Sequence, residues 1–563
     1  MKTTVNFAAL ACAAAFAAVS APTLLAAPID MSSYAQGRLA PISQKSFEDL
    51  RDLTDRRIAE IRATPNLAFD ITTDWFGNTN VRYVSAAGDD DKNNGQTPEK
   101  PWKTIQKVND SVGWGVEYVC FRRGDVFRGS IKAKSGVTYT AYGDKSKPKP
   151  CIYASTKNGA NPALWSPTNA PNVWCYKAGT NDVGTIVFDG GRAHGIKIVP
   201  VMHTNGTTKT FTQQYTGLDF THNYKDLAHD LHFWHDYTKA TRYWDYMKNA
   251  NGDGTLYLYS EGNPGSRFKS IEFNVGEHAI NVGVNSSVTI DNLCIKYAGR
   301  HGIGAGSDTS QSPVSNLKVT NCEFGWIGGT TQNEYPDARN YPVRYGNAVE
   351  IYGGCDGFVV SNCYIYQVYD AGVTQQFDLN KTVTQMDQKN IRYVDNVIED
   401  CNYSIEYFLA LKDQTTNNTS HIENFLIADN IMWNAGSGFC EQRPITYESA
   451  HIKSWTGEKN NRAKNYVIRD NVLACGKPML VEINSKLTNS DGSDSMPTMS
   501  GNVFIGKRGQ KFGVVNQGSP VNRKYDDAGV LKLCERYAGN YFLTEPRRKY
   551  SMRAVPPGPQ LER

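Results

Sequence analysis

One feature constrains this chain more than any other: an asparagine flanked by short apolar segments recurs at Asn292, Asn321, Asn362, Asn396, Asn430, Asn471 and Asn502. Examples are Leu317-Lys-Val-Thr-Asn321-Cys-Glu-Phe324, Phe358-Val-Val-Ser-Asn362-Cys-Tyr-Ile365 and Tyr466-Val-Ile-Arg-Asp-Asn471-Val-Leu473. Successive corners are 29 to 41 residues apart, so the loops inserted between repeats differ in length. Short strands with asparagine at the same corner predict a solenoid, because stacked amide side chains can bond one another and the turn backbone. A β-sandwich also offers many short strands, but it has no need for the same corner seven times. The residue after each asparagine (Leu293, Cys322, Cys363, Val397, Ile431, Val472, Val503) is expected to form one inward column.

The rest of the chain is divided around this repeat. Residues 1–27 read as an export signal, with Lys2 ahead of an Ala-rich apolar run from Phe7 to Val19. Small residues follow at Val19-Ser20-Ala21 and Leu25-Ala26-Ala27. A buried N-terminal helix is the alternative. The run is too short to span a membrane and no second stretch is long enough, so a secreted or periplasmic protein without a membrane span is expected. Residues 28–78 are expected to form an N-terminal helical extension or cap, with Phe47, Leu50, Leu53, Ile58 and Ile61 at helical spacing between Ser43 and Ala63. The solenoid is assigned to 79–505, with 195–285 as an aromatic-rich β insertion, and 506–563 as a C-terminal cap and tail.

Composition excludes some functions. A net charge of +4 leaves no basic mass for nucleic acid. Twelve cysteines, one of them in the signal, leave an odd number scattered along the chain and no CxxC pair. They read as small core hydrophobes rather than as a disulfide framework or a zinc site. The run Asp89-Asp90-Asp91-Lys92-Asn93-Asn94 has the oxygens for calcium, but Gly95 is misplaced for an EF-hand loop and a solvated turn is expected. His229, His232 and His235 lack a helical pattern, and no metal site is assigned to them.

The opening Tyr83-Val-Ser…Gly88-Asp…Asn94-Gly…Pro101-Trp-Lys-Thr-Ile-Gln106, together with the asparagine corners, resembles the pectate-lyase-like right-handed parallel β-helix superfamily. The resemblance covers about residues 80–190 and 285–505. It implies an all-β, right-handed parallel β-helix and a carbohydrate partner, polysaccharide or oligosaccharide. The superfamily holds many secreted bacterial glycoside hydrolases and polysaccharide lyases, but also epimerases, esterases and adhesins.

A second column locates the chemistry. Aligning Ile303, Val349, Val373, Ile405, Phe439 and Val481 as inward residues turns the next residue of each outward. That outward row is Gly304, Glu350, Thr374, Glu406, Cys440 and Glu482. Glu350 and Glu406 would then lie two strand spacings apart, roughly 9–10 Å at the backbone. This suits the separated acid and base of an inverting glycosidase, with Asp370 able to reach the same face. A one-residue slip would turn both glutamates inward. His451, Lys453 and Trp455 alternate onto one face and offer a proton carrier, a cation and a sugar-stacking ring. Arg443 lies nearby, and Arg344 and Tyr345 belong to the polar, aromatic loop 329–347 that precedes Glu350. The leading expectation is a glycoside hydrolase with Glu350, Glu406 and Asp370 as catalytic groups and no cofactor. The alternatives are a polysaccharide lyase using Lys453, His451 or Arg443 as base, with calcium or cations neutralising a uronate, and a glycan-binding β-helix without catalysis.

Overall fold

The computed structural model describes residues 31–546 except 180, 207, 215, 222, 237–251, 334–340, 411–418, 444–447, 455–461 and 519–520. The expected export signal and Trp455 lie outside the described residues. Each coil contributes three short strands, and each strand pairs in parallel with its counterpart in the next coil. One ladder is a ten-stranded sheet running from Val81–Val84 through Val314–Thr320 and Ile422–Ala428 to Thr498–Ser500. A second passes through Cys294–Lys296, Glu323–Ile327, Ile431–Trp433 and Val503–Gly506. The third carries β1 (Ile303–Gly306), β2 (Val349–Tyr352), the second halves of β3 (Tyr364–Asp378) and β4 (Val397–Ala410), β5 (Ala450–Ser454) and β6 (Met479–Ser485). The long strands β3 and β4 bend round a corner, so their first halves belong to the second ladder.

Inward residues of these ladders fill one continuous apolar core, in which Ile303, Val349, Val373, Ile405 and Val481 are completely buried. Each such side chain contributes about 1.5–3 kcal/mol by leaving water. Two expectations about the columns need correction. The rung between Ile405 and Val481 is Ile452, not Phe439, because Gly438–Gln442 forms a 3-10 turn outside the ladder. The asparagines also do not share one column. Asn396, Asn430, Asn471, Asn502 and Asn540 form a buried chain in which each Nδ2 donates to the next Oδ1, at 2.8 to 3.0 Å. Asn321 and Asn362 sit one position earlier, in the left-handed backbone region that Asp395, Asp429 and Asp470 occupy in later coils. Cys363 therefore occupies a position that asparagine takes in the next coil, and its N–H donates to Asn396 Oδ1 at 3.0 Å.

The N-terminal segment adds a strand at the C-terminal end of the solenoid, but its helix does not lie across an end. Leu39–Pro41 pairs in parallel with Tyr541–Thr544 and so extends the last coil. Helix α1 (Gln44–Arg62), capped by Ser43 Oγ on the Ser46 N–H, then runs back along the flank. Its contacts step across coils, with Arg51 on Glu399, Arg57 on Asn362 and Arg62 bidentate on Glu323 at 2.8 and 3.1 Å. The ends are covered instead by α2 (Ile105–Ser111), whose Ile105 and Val108 enter the core, and α3 (Asp527–Tyr537), which meets Phe504, Phe512 and Phe542. Coils thus continue to Thr544, past the boundary expected at residue 505. Asp89 and Asp90 accept from turn and helix-start N–H groups, as a structural turn does.

The insertion begins earlier than residue 195. Cys151–Tyr153 and Cys294–Lys296 are adjacent rungs, and the chain between them builds a separate sheet that already includes Ser166–Pro167 and Val173–Lys177. It leans on the loops beside the third ladder. Gln442 Nε2 donates to the Gly195 carbonyl, Arg344 Nη2 to the Gly184 carbonyl, and the Thr331 N–H to Asp182, whose carboxylate is buried against Lys197. The insertion therefore stands beside the face that carries Glu350. Among the described residues no helix is long and apolar enough to cross a membrane.

Candidate active site

Strand register puts Gly304, Glu350, Thr374, Glu406, Lys453 and Glu482 in one outward row across β1 to β6. The one-residue slip that would have hidden both glutamates does not occur. Thr374 is the single rung between Glu350 and Glu406, so their backbones are separated by two strand spacings, roughly 9–10 Å. Lys453, not Cys440, is the next member of the row, and it pairs with Glu482.

Both glutamates are withdrawn from solvent, Glu350 being 8% and Glu406 3% exposed. Burial raises the Glu350 carboxyl to about 7, opposed by the Asn347 hydrogen bond and assisted by the nearby Asp370 charge. Burial likewise raises Glu406 to about 8, assisted by Asp370 and opposed by Arg443 and Lys453. Asp370 stands at the bend of β3 and pairs with Arg443, Nη1 to Oδ1 at 2.7 Å. Arg443 also lies over the rings of Tyr369 and Tyr403, at 5.5 and 5.8 Å. Three carboxyls within mutual electrostatic reach, one held by a guanidinium, make a site that can supply and accept protons.

The two glutamates differ in their hydrogen bonding. Glu350 accepts from the side-chain amides of Asn347 and Gln376 (3.1 Å for the latter), and His301 Nε2 faces its Oε1 at 3.3 Å. Gln376 follows Thr374 at strand period on the same face, but the other two partners were not legible in the sequence. Asn347 and His301 sit in loops between coils, where no periodicity marks them, and the one hint was the concentration of glycine around His301 in Gly299-Arg-His-Gly-Ile-Gly304.

The other candidate residues fall in different places. Tyr345 packs edge-on against His301, with ring centroids 5.4 Å apart, and so borders the Glu350 pocket. Arg344 is buried, its guanidinium directed to the carbonyls of Gly329 and Gly184 and lying over Tyr369. His451 is fully buried between Ser404 Oγ and the Ala474 carbonyl, both at 3.1 Å, and burial lowers it to about 3. It shares a strand with Lys453 but not its access to the row. Among the described residues no group of three or more His, Cys, Asp or Glu side chains could hold a metal ion. His229 and His232 are neighbours, whereas His235 is engaged with the Val183 N–H and the Gly179 carbonyl.

No family model matches the chain. Over 106 residues it is 35% identical to a lacto-N-biosidase of Bifidobacterium longum subsp. longum, a match spanning 17% of this chain and 6% of that protein's length. Among solved structures, XylC in complex with xylose is similar over 82% of each chain, at 12% identity and a TM-score of 0.37. A GH136 lacto-N-biosidase from Eubacterium ramulus is similar over 89% of this chain and 70% of that one, at 12% identity and a TM-score of 0.36.

Proposed function

We propose that this protein is an exported glycoside hydrolase, which cleaves an oligosaccharide or polysaccharide by an inverting mechanism on one face of a right-handed parallel β-helix. The observation that carries this reading is the outward pair Glu350 and Glu406, one threonine rung apart, with Asp370 beside both. Inverting glycosidases hold their two carboxyls about 6.5–9.5 Å apart to admit a water, whereas retaining enzymes need about 5–5.5 Å. The 106-residue likeness to a lacto-N-biosidase supports a glycan as substrate.

In this mechanism Glu406 is the general acid. Its carboxyl, raised to about 8, keeps a proton at neutral pH to give to the departing glycosidic oxygen. Glu350 is the base. Its oxygens are ringed by donors, which favours the carboxylate that takes a proton from the attacking water. Asp370, paired with Arg443, places negative charge beside the sugar as positive charge develops on it. A lyase would need a cation available to a uronate carboxylate, but Arg443 and Lys453 are each already matched to an acid, Asp370 and Glu482.

The test is to digest a panel of neutral and acidic glycans and read the anomer of the fresh product by proton NMR. The inverted anomer is expected. A retained anomer would overturn the mechanism, and ultraviolet absorbance from an unsaturated uronate would replace hydrolysis by elimination. The pH profile gives a second check. Activity should rise as Glu350 loses its proton near pH 7 and fall as Glu406 loses its own near pH 8, leaving a narrow optimum between them. Full activity well into the acid range would contradict the assignment of Glu350.

A further inference from the structure

We infer that His301 and Asn347 form a clamp that fixes Glu350 as a hydrogen-bond acceptor, with Gly304 and His278 setting the position of the His301 ring. This rests on the reading of Glu350 as the base. His301 is buried, and its Nδ1 accepts the Asn347 backbone N–H at 3.1 Å. That contact assigns the ring proton to Nε2, the nitrogen 3.3 Å from Glu350 Oε1. The Asn347 side chain completes the loop. Its Nδ2 donates to Glu350 Oε2, and its Oδ1 accepts the Ala371 N–H at 2.8 Å, one residue from Asp370. One asparagine therefore orients the histidine, the glutamate and the backbone beside Asp370 together.

The ring has little freedom to turn. His278 stacks on it, with centroids 5.1 Å apart and planes inclined by 19°, and Tyr345 closes its edge. His278 fits there because the residue preceding Glu350 in the outward row is glycine. A Cβ on Gly304 would come within 2.6 Å of the His278 ring. The charged and titratable groups around the clamp are Glu350, Asp370, Arg300, His278 and Tyr345. Burial, His278 and Arg300 keep His301 neutral at physiological pH, so it donates one hydrogen bond and carries no charge. With Nδ1 occupied by a backbone N–H it has no second site through which to pass a proton. It is a positioning residue, not a relay.

The experiment compares His301→Phe, His301→Gln, Gly304→Ala and Glu350→Gln in the full chain, measuring kcat, KM and the pH dependence of kcat/KM, with thermal melting as a check on folding. His301→Phe is expected to lower kcat on the order of tenfold to a hundredfold with little change in KM, as loss of a hydrogen bond to a charged group does. It should also move the rising limb of the pH profile to higher pH, because the carboxylate has lost a donor. His301→Gln, which keeps an N–H donor, should recover part of both. Gly304→Ala removes no polar group yet should change kcat and the limb in the same direction; it decides the matter if His301→Phe does not fold. Wild-type kcat and an unmoved limb in His301→Phe, or in Gly304→Ala if that is the variant that folds, would overturn the clamp while Glu350→Gln remains inactive. Full activity of Glu350→Gln would instead remove the reading of Glu350 on which the clamp rests.

Discussion

Replacing Glu406 by glutamine is expected to lower kcat on a natural glycan by about 10²–10⁴-fold, the usual contribution of a positioned general acid. The amide fills nearly the same space in the row between Thr374 and Lys453 but has no acidic proton to give to the leaving oxygen. Most of the loss should disappear on an aryl glycoside whose phenolate departs without protonation. Glu350→Gln should behave differently and lose activity on both substrates, because water still needs a base whatever the leaving group. Measuring kcat for both variants on both substrates separates the roles. If Glu406→Gln is equally impaired on the aryl substrate, Glu406 is not the acid. If Glu350→Gln alone is rescued by the good leaving group, the two roles are exchanged.

The part of this site that could be read from the sequence is the part governed by strand period. Glu350 and Glu406 each follow an inward aliphatic residue, Val349 and Ile405, and a period of two then assigns both to one face. The same reasoning missed the next rung. Phe439 and Cys440 look like an inward–outward pair, but they form a 3-10 turn, and the strand resumes only at Ala450 with Ile452 and Lys453. Apolar character alone does not distinguish a buried turn from a rung. Two of the donors around Glu350 had no periodic signature, since His301 and Asn347 meet across 46 residues through loops. His451 was placed beside Lys453 by alternation, but alternation says nothing of what covers a side chain, and here Gly476 lies against its ring.

The fold was legible for a related reason, and the errors in it are equally physical. Repetition marks the coils between residues 288 and 505, yet Asn540 continues the same buried chain after the eleven-residue helix α3 interrupts it. At 38 residues from Asn502 its spacing matches that of the earlier corners; what hides it is that a helix, and not a short apolar strand such as Thr498–Ser500, precedes the asparagine. The route of the N-terminus was also beyond pattern. The helical face of α1 was evident from Phe47, Leu50, Ile58 and Ile61, but the strip it packs on includes Val397, Ile431 and Val472, which the residue-after-asparagine pattern assigned inward, and Trp433. Arg51 and Arg62 pair with Glu399 and Glu323 beside it.

The asparagine chain itself should supply the largest loss of stability from a single truncation at the corners, and Asn471→Ala is the substitution to make. Asn471 is fully buried. Its Oδ1 accepts from the N–H and Nδ2 of Asn430, at 3.0 and 2.8 Å, and its Nδ2 donates to Asn502 Oδ1 and to the carbonyls of Ile427 and Arg469. Alanine removes all of these bonds and leaves the buried Asn430 N–H without its acceptor and its amide with one bond fewer, while Asn502 Oδ1 keeps the Asn471 N–H at 3.1 Å and Asn430 Nδ2 keeps the Tyr393 carbonyl at 2.9 Å. At roughly 1–3 kcal/mol for the unsatisfied N–H and less for each other lost bond, partly relieved by relaxation, a loss of about 3–5 kcal/mol is expected. Backbone strain does not contribute, because the left-handed position at this corner belongs to Asp470 and not to Asn471. Asn424→Gly is the matched control. Asn424 is exposed, bonds Asn390 and Asn465 in an outer row, and has a left-handed backbone that glycine adopts freely, so a change below about 1 kcal/mol is expected. Denaturant unfolding of both variants decides between a buried chain that locks successive coils and one that merely accompanies them. Equal losses in the two would mean that corner geometry, and not the continuous run of buried amides, holds the rungs in register.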